Sequence, residues 1–192
     1  MEQRITASCS QTVRSLEQFC QEQGDSLVRL AQQLGSLFAE GGQLLIGANG
    51  SMQVLGQLLA SHFVFRLDFD RPVLPAISLG SDMVLSSQMT GAGKTEQLLL
   101  QHYRALESQN HLLLLLSDEA DSSALRLLRD EVQENEQPVA LISNNCRNDV
   151  LMNPNISIGI SLENQNSFRR LELCQYAGHL LCELVEQELF GS

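Results

Sequence analysis

The sequence has 192 residues, of which 43% are hydrophobic and 18% charged, ordinary values for a globular chain long enough to bury a continuous core. The formal net charge of −11 argues against a surface that binds nucleic acid directly, because such a chain repels phosphate backbones. An acidic surface instead suits solubility or a basic protein partner.

The apolar runs and the cysteines indicate the compartment. No apolar run reaches the length of a membrane span, and Met1-Glu2-Gln3-Arg4 does not begin a signal peptide. The five cysteines are scattered without a C-x-x-C motif, and Cys174 and Cys182 fall at helical spacing as core thiols. The sequence therefore predicts a cytoplasmic protein in a reducing environment, without a membrane partner.

The first 40 residues predict two helices. Apolar residues recur at helical spacing over 5–20 and again over 27–38, and Gly24-Asp25-Ser26 predicts a break and a new cap between the two stretches. Beyond them, buried strands alternate with amphipathic helices. Strands are predicted from Gln43 to the glycine turn and at 76–79, 112–116, 138–143 and 156–160, with helices at 122–134 and from Ser167 to the end.

This alternation predicts an α/β fold. Strands joined by helices form right-handed βαβ units, and five of them fit a parallel, doubly wound, flavodoxin-like sheet. We expect a single domain at 1–192, in which a helical pair at 1–40 precedes an α/β core at 41–192. Ligands of such folds bind beyond the carboxyl ends of the strands, here at the loops 48–52 and 117–123.

The first of these loops leads directly into a helix. After the stretch Gln43-Leu44-Leu45-Ile46 come Gly47-Ala48-Asn49-Gly50-Ser51 and then helical spacing. The unpaired backbone N–H groups at such a helix start can hold a phosphate or another anion. The alternative interpretation is a tight turn that only requires small residues.

A second glycine-rich stretch, Thr90-Gly91-Ala92-Gly93-Lys94-Thr95, resembles a nucleotide-binding P-loop. However, Gln88 stands where that loop requires its first glycine, and the preceding segment is predicted to be helical rather than a strand. We therefore interpret this stretch as a glycine-broken entry into a helix.

Three stretches carry a resemblance to a known family: Ala48-Asn49-Gly50-Ser51, Asp70-Arg71-Pro72-Val73-Leu74-Pro75-Ala76-Ile77 and Leu181-Cys182-Glu183-Leu184-Val185. With the order of elements, they make the chain similar to the sugar isomerase (SIS) domain family, phosphoheptose isomerase/DiaA branch. The resemblance implies a three-layer αβα sandwich and a homotetramer with a phosphosugar-type pocket between subunits. The residues it places at the ligand are Asn49, Gly50, Ser51, Ser117 and Ser122.

Most of the residues that the isomerases of this branch use are replaced. Leu58 and Leu171 stand where the resemblance expects a metal-binding histidine and glutamine, and Met52 stands where it expects a phosphate-binding serine. His62 replaces a catalytic glutamate, and only the final-helix histidine remains, as His179. We therefore expect no metal or other cofactor and assign no catalytic residue, although His62 and His179 are candidates for proton transfer. The alternative is that both histidines are structural.

The second loop also departs from the family pattern. Where the family has S-T-S-G-N-S, this chain has Ser117-Asp118-Glu119-Ala120-Asp121-Ser122. A like-charge pair 4 Å apart repels by about 4 kcal/mol at an effective dielectric near 20, so three acidic side chains are expected to oppose a bound phosphate.

The resemblance leaves two functional classes open. The first is a non-catalytic tetrameric scaffold that binds the replication initiator DnaA and regulates replication initiation. The second is a sedoheptulose 7-phosphate isomerase, or a sugar-phosphate-binding regulator, with a remodelled pocket. The replaced isomerase residues favour the first.

The end of the chain is the predicted partner surface. The resemblance implies that the terminal pair Leu189 and Phe190 takes part in binding the initiator, and Glu186 and Glu188 are expected to complement a basic partner. The alternative is burial of Phe190 within the tetramer.

Apolar residues outside the stripe that one sheet face can cover predict the assembly. A monomer is expected to leave them in an exposed patch that a dihedral tetramer covers. These residues are Leu173, Leu180 and Leu189, with Phe19 and Phe38 in the front helices.

Overall fold

The computed structural model describes residues 1–67, 69–106, 110–118, 122–164 and 166–191. These residues form α1 (Glu2–Ala39), β1 (Gln43–Ala48), α2 (Met52–Val64), β2 (Ala76–Ser78), α3 (Met83–Gly91), α4 (Leu98–Leu106), β3 (His111–Ser117), α5 (Ser123–Glu134), β4 (Val139–Ser143), β5 (Ile156–Ser161) and α6 (Ser167–Phe190). Among these helices, none is both long and apolar enough to cross a membrane.

The five strands form one parallel sheet in the order β2-β1-β3-β4-β5, which confirms the predicted flavodoxin-like topology. Every residue of β3 and β4 is buried, as expected for central strands covered on both faces. In register, Ala48 lies opposite Leu116, and Ser117 lies opposite Ser143. The carboxyl ends of β1, β3 and β4 therefore meet at one edge of the sheet.

Two apolar clusters, one on each face of the sheet, make the three layers. The larger cluster joins the sheet to α1, α2 and α6, and the smaller joins it to α4 and α5. The alternation of side chains along β3 divides them, because Leu112, Leu114 and Leu116 belong to the first cluster while Leu113 and Leu115 belong to the second.

The predicted pair of N-terminal helices is wrong: α1 is one continuous helix of 38 residues that passes through Gly24-Asp25-Ser26. The glycine costs the helix about 1 kcal/mol relative to alanine. Burial of Phe19, Leu27 and Leu30 on either side of it stabilises the helix by more than that, since each large buried side chain contributes roughly 1.5–3 kcal/mol. Tertiary packing thus overrides the local break signal.

The predicted exposed patch is also wrong for three of its members. Phe19, Phe38 and Leu173 are 3%, 9% and 3% exposed, because α1 and α6 pack against each other within a single chain. Leu180 and Leu189 are half-buried against the same cluster. These five residues therefore give no argument for assembly.

The stretch Thr90-Gly91-Ala92-Gly93-Lys94-Thr95 is not a P-loop, as predicted. The segment is the end of α3, which Asp82 caps by accepting hydrogen bonds from the backbone N–H groups of Val84 and Leu85. A helix, not a strand, precedes the glycines.

Candidate functional site

The loop after β1 lies at the carboxyl edge of the sheet, where ligands were predicted. Gly50 has a φ of 51°, a left-handed conformation that favours glycine. Ser51 occupies the N-cap position of α2, but its side chain makes no capping hydrogen bond. The side-chain oxygen and nitrogen of Asn49 are both buried and have no hydrogen-bond partner among the described residues. Asn49 therefore presents a buried amide without a partner in the described part of the chain, and Ser51 beside it presents an exposed hydroxyl group.

Met52 does not face a ligand, because its side chain is fully buried in the larger apolar cluster. A phosphate-binding serine expected at this position is thus replaced by a core residue. The loop keeps the turn and the helix start but lacks that hydroxyl group.

The second loop is described only at its two ends. Ser117 is buried at the end of β3, and the side chain of Ser122 caps α5 by accepting from the backbone N–H of Leu125 at 3.4 Å. The predicted acidic residues Glu119 and Asp121, with Ala120 between them, lie outside the described residues.

Asp118 should repel a bound phosphate less than the sequence predicted. Its carboxylate forms an ion pair with the guanidinium of Arg170 on α6, and the two side chains are only 17% and 13% exposed. Arg170 also donates from Nη1 to the carbonyl oxygen of Asn164 at 2.9 Å. Asp118 therefore ties the loop to the start of α6, and its charge is neutralised there.

Between α2 and α6 lies a small apolar cleft, at the place where the isomerase resemblance puts its metal and its catalytic base. The free space is about 10 Å³, room for one water molecule at most. Leu58 lines the cleft, whereas Leu171 is half-buried against the larger apolar cluster nearby. The aliphatic lining consists of Leu55, Leu58, Leu59, Leu116 and Ile142.

His62 and His179 meet in this cleft. Their ring centroids are 5.2 Å apart in an edge-to-face arrangement, and Nε2 of His62 is buried without a hydrogen-bond partner in the described residues. Burial lowers the pKa of His62 below its ordinary value, and the neighbouring His179 lowers it further, while Glu186 acts in the opposite direction. The structure therefore brings the two predicted histidines together and favours a neutral imidazole at His62.

Two other groups of the cleft bear on its chemistry. Gln175 lies one turn before His179 on the same face of α6, and sequence reasoning missed it although the four-residue spacing signalled a shared face. Cys174 also lines the cleft, but burial raises the pKa of its thiol to about 12, so it is not a nucleophile near neutral pH.

The residues of the cleft do not fit the metal that the isomerase resemblance implies. Catalytic zinc takes three protein ligands, drawn from histidine, cysteine and carboxylate side chains. In this cleft the two imidazoles lie among leucine side chains. No group of three histidine, cysteine or carboxylate side chains that could hold a metal ion occurs in the described part of the chain. The donor set is incomplete, and leucine supplies no ligand atom.

The predicted partner residues lie at the other end of α6. Phe190 is 38% exposed, and its ring meets that of Phe69 edge-on, with centroids 6.0 Å apart. Leu189 is half-buried, and Glu188 is exposed. The expectation for Glu186 is wrong, because its carboxylate is 3% exposed and accepts from Nε of Arg71 at 2.6 Å.

Comparison with known proteins gives relatives of two names. No family model matches the chain. It is 25% identical over 191 residues to the phosphoheptose isomerase of Thermodesulfovibrio yellowstonii, covering 99% of this chain and 94% of that relative. It is 22% identical over 192 residues to the DnaA initiator-associating protein DiaA of Escherichia coli O1:K1 / APEC, covering 99% and 97%. The identities are too similar to choose between the two names.

The fold comparison agrees over nearly the whole chain. The structure of a phosphoheptose isomerase from Francisella tularensis superposes with a TM-score of 0.86 at 21% identity, covering 96% of this chain and 97% of that one. At this identity the likeness concerns the fold, so the function must be argued from the site.

Proposed function

We propose that this chain, which belongs to the SIS domain family in the phosphoheptose isomerase/DiaA branch, is a non-catalytic tetrameric scaffold that binds the replication initiator DnaA and regulates replication initiation. The observation that carries the proposal is the leucine-lined cleft between α2 and α6. In this role residues 1–192 form a single domain, and the protein acts in the cytoplasm together with the initiator.

The chemistry of aldose–ketose isomerisation supports a non-catalytic role. The reaction needs a base that removes a proton next to a carbonyl and an acid or cation that serves the oxygen. His62 and His179 offer nitrogen atoms, but their surroundings are aliphatic apart from Gln175 and Cys174, and the cleft of one chain has room for about one water molecule. Neither a charged group that stabilises an enediolate nor a complete metal site accompanies them among the described residues.

The similarity to DiaA supports the partner. That relative is named for its association with DnaA, and the alignment spans nearly the full length of both chains. The exposed Phe190 and the half-buried Leu189 supply an apolar group at the surface for such a partner.

Purified full-length chain and purified DnaA from the same organism test the proposal by calorimetry. We expect saturable binding of the wild type and a loss of binding for Phe190→Ala, with the melting temperature and the oligomeric mass unchanged. Absence of wild-type binding at micromolar concentrations would contradict the proposal that DnaA is the partner. Dissociation of the Phe190→Ala variant into smaller species would instead make Phe190 a structural residue.

Catalytic silence is the second part of the test. In a coupled assay with sedoheptulose 7-phosphate, with and without zinc, we expect no turnover by the wild type. Single replacements Leu58→His and Leu171→Gln are expected to remain inactive, because the metal ligands and the phosphate-binding hydroxyl are missing together. Zinc-dependent turnover by the wild-type chain would overturn the scaffold assignment.

The unpartnered amide of Asn49 favours a second candidate, a regulator that binds a sugar phosphate without converting it. A buried amide without a partner costs roughly 1–3 kcal/mol, which a ligand hydroxyl or phosphate oxygen would recover. Thermal shift with sedoheptulose 7-phosphate tests this candidate, and Asn49→Ala should abolish any stabilisation. An equal shift for wild type and variant would place the ligand elsewhere.

A further inference from the structure

Exposed apolar side chains lie at the end of α2 and in the connector to β2, at the same edge of the sheet as Phe190. Val64, Phe65 and Val73, at the end of α2 and in the connector to β2, are 42%, 70% and 63% exposed. Phe69, in the same connector, is half-buried and forms the ring contact with Phe190. We call these five residues the aromatic patch.

The aromatic patch is far from the ligand loops. Both α2 and α6 begin at the carboxyl edge of the sheet, directly after β1 and shortly after β5, and both end at the opposite edge. With a rise of 1.5 Å per residue, the 24 residues of α6 separate its two ends by about 35 Å. The patch therefore lies at the opposite edge of the sheet from the loop of Asn49, whereas the cleft reaches His62, two residues before Val64.

A buried ion pair fixes the parts of the patch relative to each other. Arg71 donates from Nε to Glu186 at 2.6 Å, from Nη2 to the carbonyl of His62 at 2.9 Å and from Nη1 to that of Phe63 at 2.8 Å. It thereby joins the end of α2, the connector and the end of α6. A surface held in place before binding loses less conformational entropy when a partner docks.

The net negative charge of the segments that carry the patch favours a basic partner. By sequence, segments 64–73 and 183–190 contain two arginines and five carboxylates, which leaves a net charge of −3. Arg71 is buried against Glu186, and Arg66 pairs with Asp70 while lying over the ring of Phe65 at 5.0 Å. Glu183 remains exposed on the same side of α6 as Phe190, whereas Glu188 lies on the opposite side of the helix, beside Gly35 of α1. An apolar surface with an acidic border is complementary to an apolar segment flanked by basic residues.

We infer that the aromatic patch, and not Phe190 alone, is the docking site for a basic, apolar segment of the initiator, with Phe65 and Phe69 as anchors beside Phe190. This inference rests on the proposed function and extends it to residues of α2 and the connector. Aromatic anchors at the centre of an interface carry much of its binding energy.

Calorimetry with purified DnaA and the full-length chain tests this inference through Phe65→Ala and Phe69→Ala, each compared with Phe190→Ala. The matched control is Phe168→Ala, a phenylalanine that is 56% exposed at the opposite end of α6. We expect each patch substitution to raise the Kd by about 30-fold or more and the control to change it by less than about three-fold. Melting temperature and light scattering accompany every variant.

The outcomes separate the inference from the proposed function. If the wild type binds DnaA and only Phe190→Ala weakens binding, the inference is overturned while the scaffold stands. If the wild type does not bind, both fail. If Phe65→Ala or Phe69→Ala lowers the oligomeric mass, the patch packs against a second copy of the chain and the inference is wrong. A Kd raised by both variants at unchanged mass supports it.

Discussion

Glu186 lies on α6 two turns beyond His179, and its carboxylate accepts hydrogen bonds from Arg71 and, at 3.4 Å, from the backbone N–H of Leu67. The side chains of Arg71 and Glu186 are 0% and 3% exposed. Removal of one partner from such a pair leaves an uncompensated buried charge. The pair therefore couples the stability of the fold to the geometry of the aromatic patch.

Glu186→Gln should lower the free energy of unfolding by about 3 kcal/mol, because Arg71 then remains buried and charged without a counter-ion. Urea denaturation measures the loss. Glu183→Gln, one turn earlier and exposed, is the matched control and should change stability by less than about 0.5 kcal/mol. Equal effects for the two variants would mean that Arg71 finds another partner.

His62 should make stability depend on pH. Its pKa is lowered in the folded protein by burial and by His179, so an unfolded chain binds a proton near pH 6.5 that the folded chain does not. The free energy of unfolding should therefore fall as the pH drops from about 6.5 toward the lower pKa of the folded state. Above about pH 6.5 this contribution is constant.

Denaturant unfolding of the wild type and of His62→Gln across this interval checks the pH prediction. The variant lacks the titrating imidazole, so its slope of stability against pH should be smaller. Identical slopes for the two proteins would show that His62 takes up its proton equally well in the folded state.

At the scale of elements, the unbroken α1 is the clearest difference from expectation. Gly24 lies inside the helix with no heavy atom within 4 Å of an added Cβ, whereas a Cβ at Gly35 meets Cγ of Glu188 at 2.9 Å. The two glycines thus occupy the same type of backbone in different surroundings.

Gly24→Ala should raise the free energy of unfolding by about 0.5–1 kcal/mol, because alanine is more stable than glycine in a helix interior and nothing obstructs the added methyl group. Gly35→Ala, the same change in the same helix, should raise the free energy of unfolding by less or should lower it, because the side chain of Glu188 must move to make room for the methyl group. Thermal unfolding compares the two. A loss of stability for Gly24→Ala would indicate that the chain bends at this position.

The sequence predicted correctly those features that depend on neighbouring residues, and it missed those that depend on residues far apart in the chain. The run of leucines in β3 and the glycine turn after β1 are local patterns, and they predicted the strands and the parallel sheet correctly. That the two loops bind a ligand stays a prediction. The contact of Arg71 with Glu186 spans 115 positions, so no local pattern placed Glu186 in the core. At Gly24 the sequence predicted a helix break that does not occur, because packing against α6 stabilises α1 through this position.

At the scale of the whole molecule, the first turns of α1 carry an exposed apolar stripe. Met1, Ile5 and Val13 are 108%, 70% and 47% exposed, and with Cys9 they form one stripe at four-residue spacing. An apolar stripe of this kind on a helix is typical of an interface between copies.

We predict a homotetramer, for which light scattering should give four times the chain mass of 21.2 kDa. The double variant Ile5→Asp, Val13→Asp should dissociate, because two carboxylates then face a partner copy. Val84→Asp on α3, at a position 67% exposed, is the control and should keep the wild-type mass. A wild-type monomer at micromolar concentration would contradict the prediction.

The leucines of the cleft also bear on which evolutionary changes remain open to this fold. An active site normally keeps polar groups in partly buried positions at a cost in stability, and aliphatic side chains at those positions recover it. A metal site in this cleft would require several substitutions before a ligand set is complete. Single-step intermediates gain no catalysis for selection to favour. Under the proposed function, the aliphatic cleft would therefore oppose a stepwise gain of catalysis, and new binding functions would arise more readily at the surface.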